Sequence, residues 1–108
     1  MQINQQVFSG FTSTGNSTSI PALGATNVVA VMDLTYGSGP SITINLQGSD
    51  DGTHWVTLAT TGSISSGATV SLTSPAGTCL AYYQLNVSAN THVTVTAYIA
   101  ATGPGSTG

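Results

Sequence analysis

Apolar and polar residues alternate along most of the chain, and that alternation predicts strands. From Val28 to Tyr36 the even positions are Val28, Ala30, Met32, Leu34 and Tyr36, with Asp33 and Thr35 opposite. Ile42, Ile44 and Leu46 alternate with Thr43, Asn45 and Gln47, and Ala68, Val70 and Leu72 with Thr69, Ser71 and Thr73. Ala81, Tyr83, Leu85 and Val87 oppose Tyr82, Gln84, Asn86 and Ser88. Val93, Val95, Ala97 and Ile99 oppose Thr94, Thr96 and Tyr98. A period of two with one dry face is the mark of half-buried strands. Strong helix formers other than Ala and Leu are scarce, while Val, Ile, Thr and Tyr fill the periodic segments.

Turn chemistry punctuates these runs: Gly37-Ser38-Gly39-Pro40, Asp50-Asp51-Gly52, Gly62 to Gly67, Ser74-Pro75-Ala76-Gly77 and Ala89-Asn90. Strands spaced at about ten residues with one-sided alternation predict an antiparallel β-sandwich, jelly-roll or Ig-like, of six to seven strands. We expect three segments: 1–24 as an N-terminal arm or edge strand, 25–100 as the sandwich, and 101–108 as a flexible tail. Residues 1–24 carry Ile3, Val7, Phe8, Phe11, Ile20 and Leu23 without steady alternation. An edge strand of the same sandwich and an arm packing on a neighbouring subunit both fit.

Charge narrows the function. An average chain of this length would carry roughly 27 charged residues; this one has Asp33, Asp50 and Asp51, and no Lys, Arg or Glu. Nucleic-acid binding draws on Lys and Arg to displace counterions from phosphates, so we expect no nucleic-acid partner. A net charge of -3 gives no attraction to an anionic membrane. Phosphate chemistry would have no cation to neutralise developing charge. Ser, Thr, Asn, Gln and 13 glycines keep the surface wet instead, which suits a protein packed densely beside copies of itself.

Candidate chemistry is thin. Asp50 and Asp51 could hold calcium, but calcium usually takes six to eight oxygens and only Asp33 could add a carboxylate. The simpler reading is a hairpin, with the aspartates bonding backbone amides and Gly52 supplying a positive φ. Trp55 is then expected to cap one end of the core. His54 and His92 are paired in sequence with no nucleophile, and no G-x-S-x-G occurs. We therefore expect no enzyme, no catalytic residues, no metal and no cofactor. Cys79 cannot form an internal disulfide and reads as a small, partly buried filler. The start MQINQQVFSG has neither a basic nor an apolar signal region, so synthesis in the cytoplasm is expected and the triplets at Asn16 and Asn86 carry little weight as glycosylation sites. Thr94-Val95-Thr96 lacks the fixed-period repeat that an ice-binding surface needs.

Gly48-Ser49-Asp50-Asp51-Gly52-Thr53-His54-Trp55, with Leu58 after it, resembles the G-S-x-D-G-x-x-W-x-x-L hairpin of galactose-binding-like (discoidin-type) domains and of small β-sandwich virion proteins of tailed bacteriophages. Residues 82–87 followed by 93–97 look like the closing strand pair of that pattern. The small size and uncharged surface are more similar to the phage version. That resemblance implies a capsid decoration protein, a homo-oligomer (a trimer as first guess) bound to the major capsid protein on the capsid exterior. Ile3, Val7, Phe8 and Phe11 are then the candidate oligomer or capsid contacts. The alternative is a carbohydrate-binding or host-adhesion module of a tail, with Tyr82, Tyr98 and Asp50 as candidate glycan contacts.

Overall fold

The computed structural model describes residues 2–22, 25–67, 69–75 and 80–103. Among the described residues seven antiparallel strands form one sheet: β1 Gln2–Phe11, β2 Gly15–Asn16, β3 Ile20–Pro21, β4 Asn27–Ser49, β5 Val56–Thr60, β6 Thr69–Thr73 and β7 Tyr82–Thr102. The spine is the ladder between β4 and β7, which runs from Asn27 opposite Thr102 to Ser49 opposite Tyr82. In one half of the molecule β1 flanks β7 and β6 flanks β4. In the other half β2 and β3 flank β7 and β5 flanks β4.

Twenty-three extended residues would span roughly 75 Å, yet the longest dimension of the molecule is 47 Å. The ladder therefore bends. Val28, Ala30, Met32, Ile42, Ile44, Leu46, Tyr83, Leu85, Val95, Ala97 and Ile99 are fully buried and belong to one core cluster. An open single layer leaves both its faces to water, so the sheet must fold over on itself to dry one of them. The result is the expected all-β antiparallel sandwich, built from a single continuous sheet.

The bend sits where residues 37–40 of β4 stand opposite His92 of β7, between the pairs Tyr36–Val93 and Ser41–Thr91. Here the sequence reading is corrected. Gly37-Ser38-Gly39-Pro40 does not reverse the chain, and Ala89-Asn90 does not connect two strands. Both segments lie inside long strands, because β7 remains the partner of β4 on either side and the two turn a corner together. Four residues against one is a large bulge, and bulges bend a strand sharply. A second shift beside Thr43 and Ile44 leaves Ser88 without an opposite number. Asn90 fastens the corner: its Oδ1 accepts from Val93 N at 3.1 Å, and its Nδ2 donates to Val93 O at 3.0 Å and Ser13 O at 3.2 Å.

Gly37 suits the corner, since a Cβ there would lie a tight 3.1 Å from the His92 carbonyl oxygen. Buried hydroxyls extend the ladders where strands run out. Ser17 exchanges bonds with the Leu85 backbone through its N–H and Oγ, both at 2.8 Å. Ser74 does the same with Val28, at 2.9 and 3.2 Å. β7 continues through Ala101, which is fully buried, and Thr102. Strand structure thus reaches two residues into the segment read as a tail. Leu23, Ala68 and Cys79 lie outside the described residues, as do 104–108.

Candidate functional site

The N-terminal contact candidates are side chains of an edge strand. β1 pairs with β7 through Gln6–Tyr98, Phe8–Ala97 and Phe11–Val95, with irregularities on either side of Phe8. The first of these is a bulge that turns the consecutive residues Val7 and Phe8 inward together, leaving them 8% and 5% exposed. Phe8 stacks on Phe11 with ring centroids 4.4 Å apart, and Ile3 and Phe11 pack half-buried against the core. All four therefore pack within their own chain. What β1 offers outward is its open edge, the exposed Asn4 and Gln6, and the outer-face neighbours Tyr98 and Val31, 40% and 38% exposed.

The Gly48–Leu58 segment forms the expected hairpin, with Gly48 opposite Val56 and Gln47 opposite Thr57. Its turn is organised by Asp51 and Ser49. Asp51 Oδ1 accepts from Thr53 N at 2.8 Å and His54 N at 2.9 Å, while Oδ2 accepts from His54 Nδ1 at 2.7 Å. Ser49 Oγ donates to Asp51 Oδ1 and accepts from the amides of Asp51 and Gly52. These bonds, the His54 ones foremost, hold the Asp51 carboxyl well below the usual carboxylate range. Gly52 has φ 78°. Asp50 points to solvent and bonds none of the turn amides. Trp55 departs from expectation: it is half-buried ahead of β5 and outside the set packed on the core.

The glycan-contact candidates do not converge. Tyr82, the first residue of β7, sits beside the turn, where a Cβ on Gly52 would meet its ring at 3.7 Å. Asp50 is on the same turn. Tyr98 is near the other end of β7, over a shallow depression shared with Asn4, Val31 and Ala100.

Neutral polar rows cross the outer face of the β5 half. Asn45 Nδ2 donates to Asn86 Oδ1 at 3.1 Å and to Ser88 Oγ at 3.3 Å, and Asn86 Nδ2 donates to Asn16 Oδ1 at 2.7 Å. Beside this row Gln84 Nε2 donates to Gln47 Oε1 at 2.8 Å, and Gln47 Nε2 to Thr57 Oγ1 at 3.4 Å. Cross-strand side-chain bonds here take the place of salt bridges.

One concavity was missed in the sequence. It is an open cleft of about 460 Å³ at the bend, lined by Thr12, Thr35, Tyr36, Gly37, Ser38, His92, Val93 and Thr94. His92 has φ 56°, the single positive value outside glycine among the described residues. Its Nδ1 donates to the Ser38 carbonyl at 2.6 Å. Tyr36 donates its hydroxyl to Gly67 O at 2.7 Å, and burial pushes its phenol pKa up. Residues from three separate segments meet there only because the ladder bends, so linear spacing gives no warning of it.

The fold has a counterpart among solved structures. The crystal structure of the SPBc2 prophage-derived protein YomS matches with a TM-score of 0.65, covering 94% of this chain and 94% of that one. Sequence identity is 13%, so the likeness is one of fold. No family model and no curated protein sequence matches the chain. The match runs almost end to end on both sides.

Proposed function

We propose that this chain is a structural protein of a tailed-phage virion, a capsid decoration protein that acts without covalent chemistry. The observation that carries the reading is the end-to-end fold likeness to a prophage-derived protein. The surface supports it. Three carboxylates and no cations leave little like-charge repulsion between copies packed side by side. In this reading copies of the chain, as a trimer, sit on the outside of the shell against the major capsid protein.

The contact is assigned to the open edge of β1 and the outer-face residues next to it, Asn4, Gln6, Tyr98 and Val31, rather than to Phe8 and Val7. An unpaired edge offers backbone donors and acceptors to an approaching chain. The register irregularities beyond Gln6 confine the straight part of that edge to Gln2–Gln6. Shells are stabilised in this account by apolar area and backbone edges buried across subunit boundaries.

The test is to mix the purified chain with particles lacking it, sediment them, and measure bound chain and the temperature at which particles release DNA. Saturable binding with a raised release temperature is expected. Tyr98→Ser with Val31→Ser should reduce binding while the free chain keeps its unfolding midpoint. Particles that bind nothing and are no more heat-resistant would refute the assignment.

A further inference from the structure

We propose that the cleft at the bend is a binding site for a neutral saccharide unit, a role separate from the attachment just described. Thr12, Thr35, Ser38 and Thr94 are among its lining residues, and none of their hydroxyls has a hydrogen-bond partner among the described residues. The amides across the β5 half, in contrast, are bonded to one another in rows. A hydroxyl both donates and accepts, so a cluster of four is matched by a ligand whose own groups do both.

His92 adds a fifth polar group. A carbonyl can only accept, so the bond to Ser38 O fixes the proton on Nδ1 and leaves Nε2 without a partner among the described residues. In the neutral ring Nε2 accepts a hydrogen bond from a ligand hydroxyl. The backbone of His92 is held at φ 56°, a region that costs a side chain energy and that Gly would occupy freely. Strain of this kind gathers at binding sites, where the surrounding structure holds a side chain in place for a ligand. The Tyr36 ring and Val93 add apolar surface to the lining.

The lining also selects the class of ligand. A phosphate or carboxylate would want a cation, and the chain has no Lys or Arg. A wholly apolar ligand would leave the hydroxyls unpaired. About 460 Å³ falls within the range of small-molecule sites.

The experiment is a titration of the isotopically labelled chain with glucose, galactose and N-acetylglucosamine, followed by amide resonances, with succinate as an anionic control. Saturable shifts at Thr35–Ser38 and His92–Thr94 are expected with at least one sugar and none with succinate. Thr94→Val, nearly isosteric, and His92→Gly, which accepts the same backbone angle, should each weaken binding about tenfold, the loss of one hydrogen bond. If His92→Gly alters the fold, Thr35→Val replaces it. Shifts absent with all three sugars, centred elsewhere, or unchanged in the variants would overturn the proposal, as would tighter binding of succinate. Failure here leaves particle attachment untouched, because Thr35, His92 and Thr94 are not in the surface assigned to it.

Discussion

Asp51 shows how few residues set the local geometry of the hairpin. Its carboxylate accepts from two backbone amides and from the His54 ring, and these bonds depress its pKa. A carboxyl with a folded pKa below its unfolded one adds stability above the unfolded value, and that stability is lost as pH falls toward the folded value. The unfolding midpoint should therefore drop as pH falls below about 4, and Asp51→Asn should flatten that part of the profile in thermal scans across pH. A steep acid loss persisting in Asp51→Asn would show that the turn is not its source. The role of Asp51 was legible, since an Asp-Gly pair between alternating runs marks a hairpin. Which of the two aspartates does the bonding was not. Adjacent identical residues differ only in where the backbone aims them, and only Asp51 is aimed at the amides of Thr53 and His54. Trp55, half-buried ahead of β5, is not among the residues packed on the core.

At the level of elements, the two long strands carry the architecture and β1 closes one side of the core. Phe8 is 5% exposed and stacked on Phe11, so Phe8→Ala should cost about 3 kcal/mol in urea unfolding. A loss under about 0.5 kcal/mol, the size of an ordinary surface change, would mean that β1 is not part of the folded unit. Gly37→Ala should cost about 1 kcal/mol, because the added methyl presses on a backbone oxygen at 3.1 Å that has little room to retreat. Unfolding midpoints in urea measure both. The core was readable almost position by position, since Val28 to Leu34, Ile42 to Leu46, Tyr83 to Val87 and Val93 to Ile99 bury the residues that alternation selects. Strand continuity was not. Gly37 to Pro40 has the composition of a reversal, and what makes it a corner is the continuous partner strand opposite, which local sequence does not encode. The cleft went unseen for the same reason, as it exists only once Thr12, Thr35 and His92 are brought together by the bend.

For the whole molecule the governing fact is the near absence of charge. The contact between His54 and Asp51 is exposed, and pairs of that kind contribute little. Stability should be nearly indifferent to sodium chloride, with the thermal midpoint moving by no more than about 2 °C between low salt and 0.5 M, because screening has few interactions to weaken. A larger shift would reveal an electrostatic contribution that the structure does not contain. The same surface, together with a fold shared end to end with a prophage-derived protein, leads to the virion reading. Its most direct test is the copy number of the chain in purified particles from its source, by quantitative mass spectrometry. Digestion should use chymotrypsin, since a chain with no Lys or Arg gives trypsin nothing to cut. A decoration protein is expected at an abundance comparable to the major shell protein. Absence of the chain from purified particles would contradict the account.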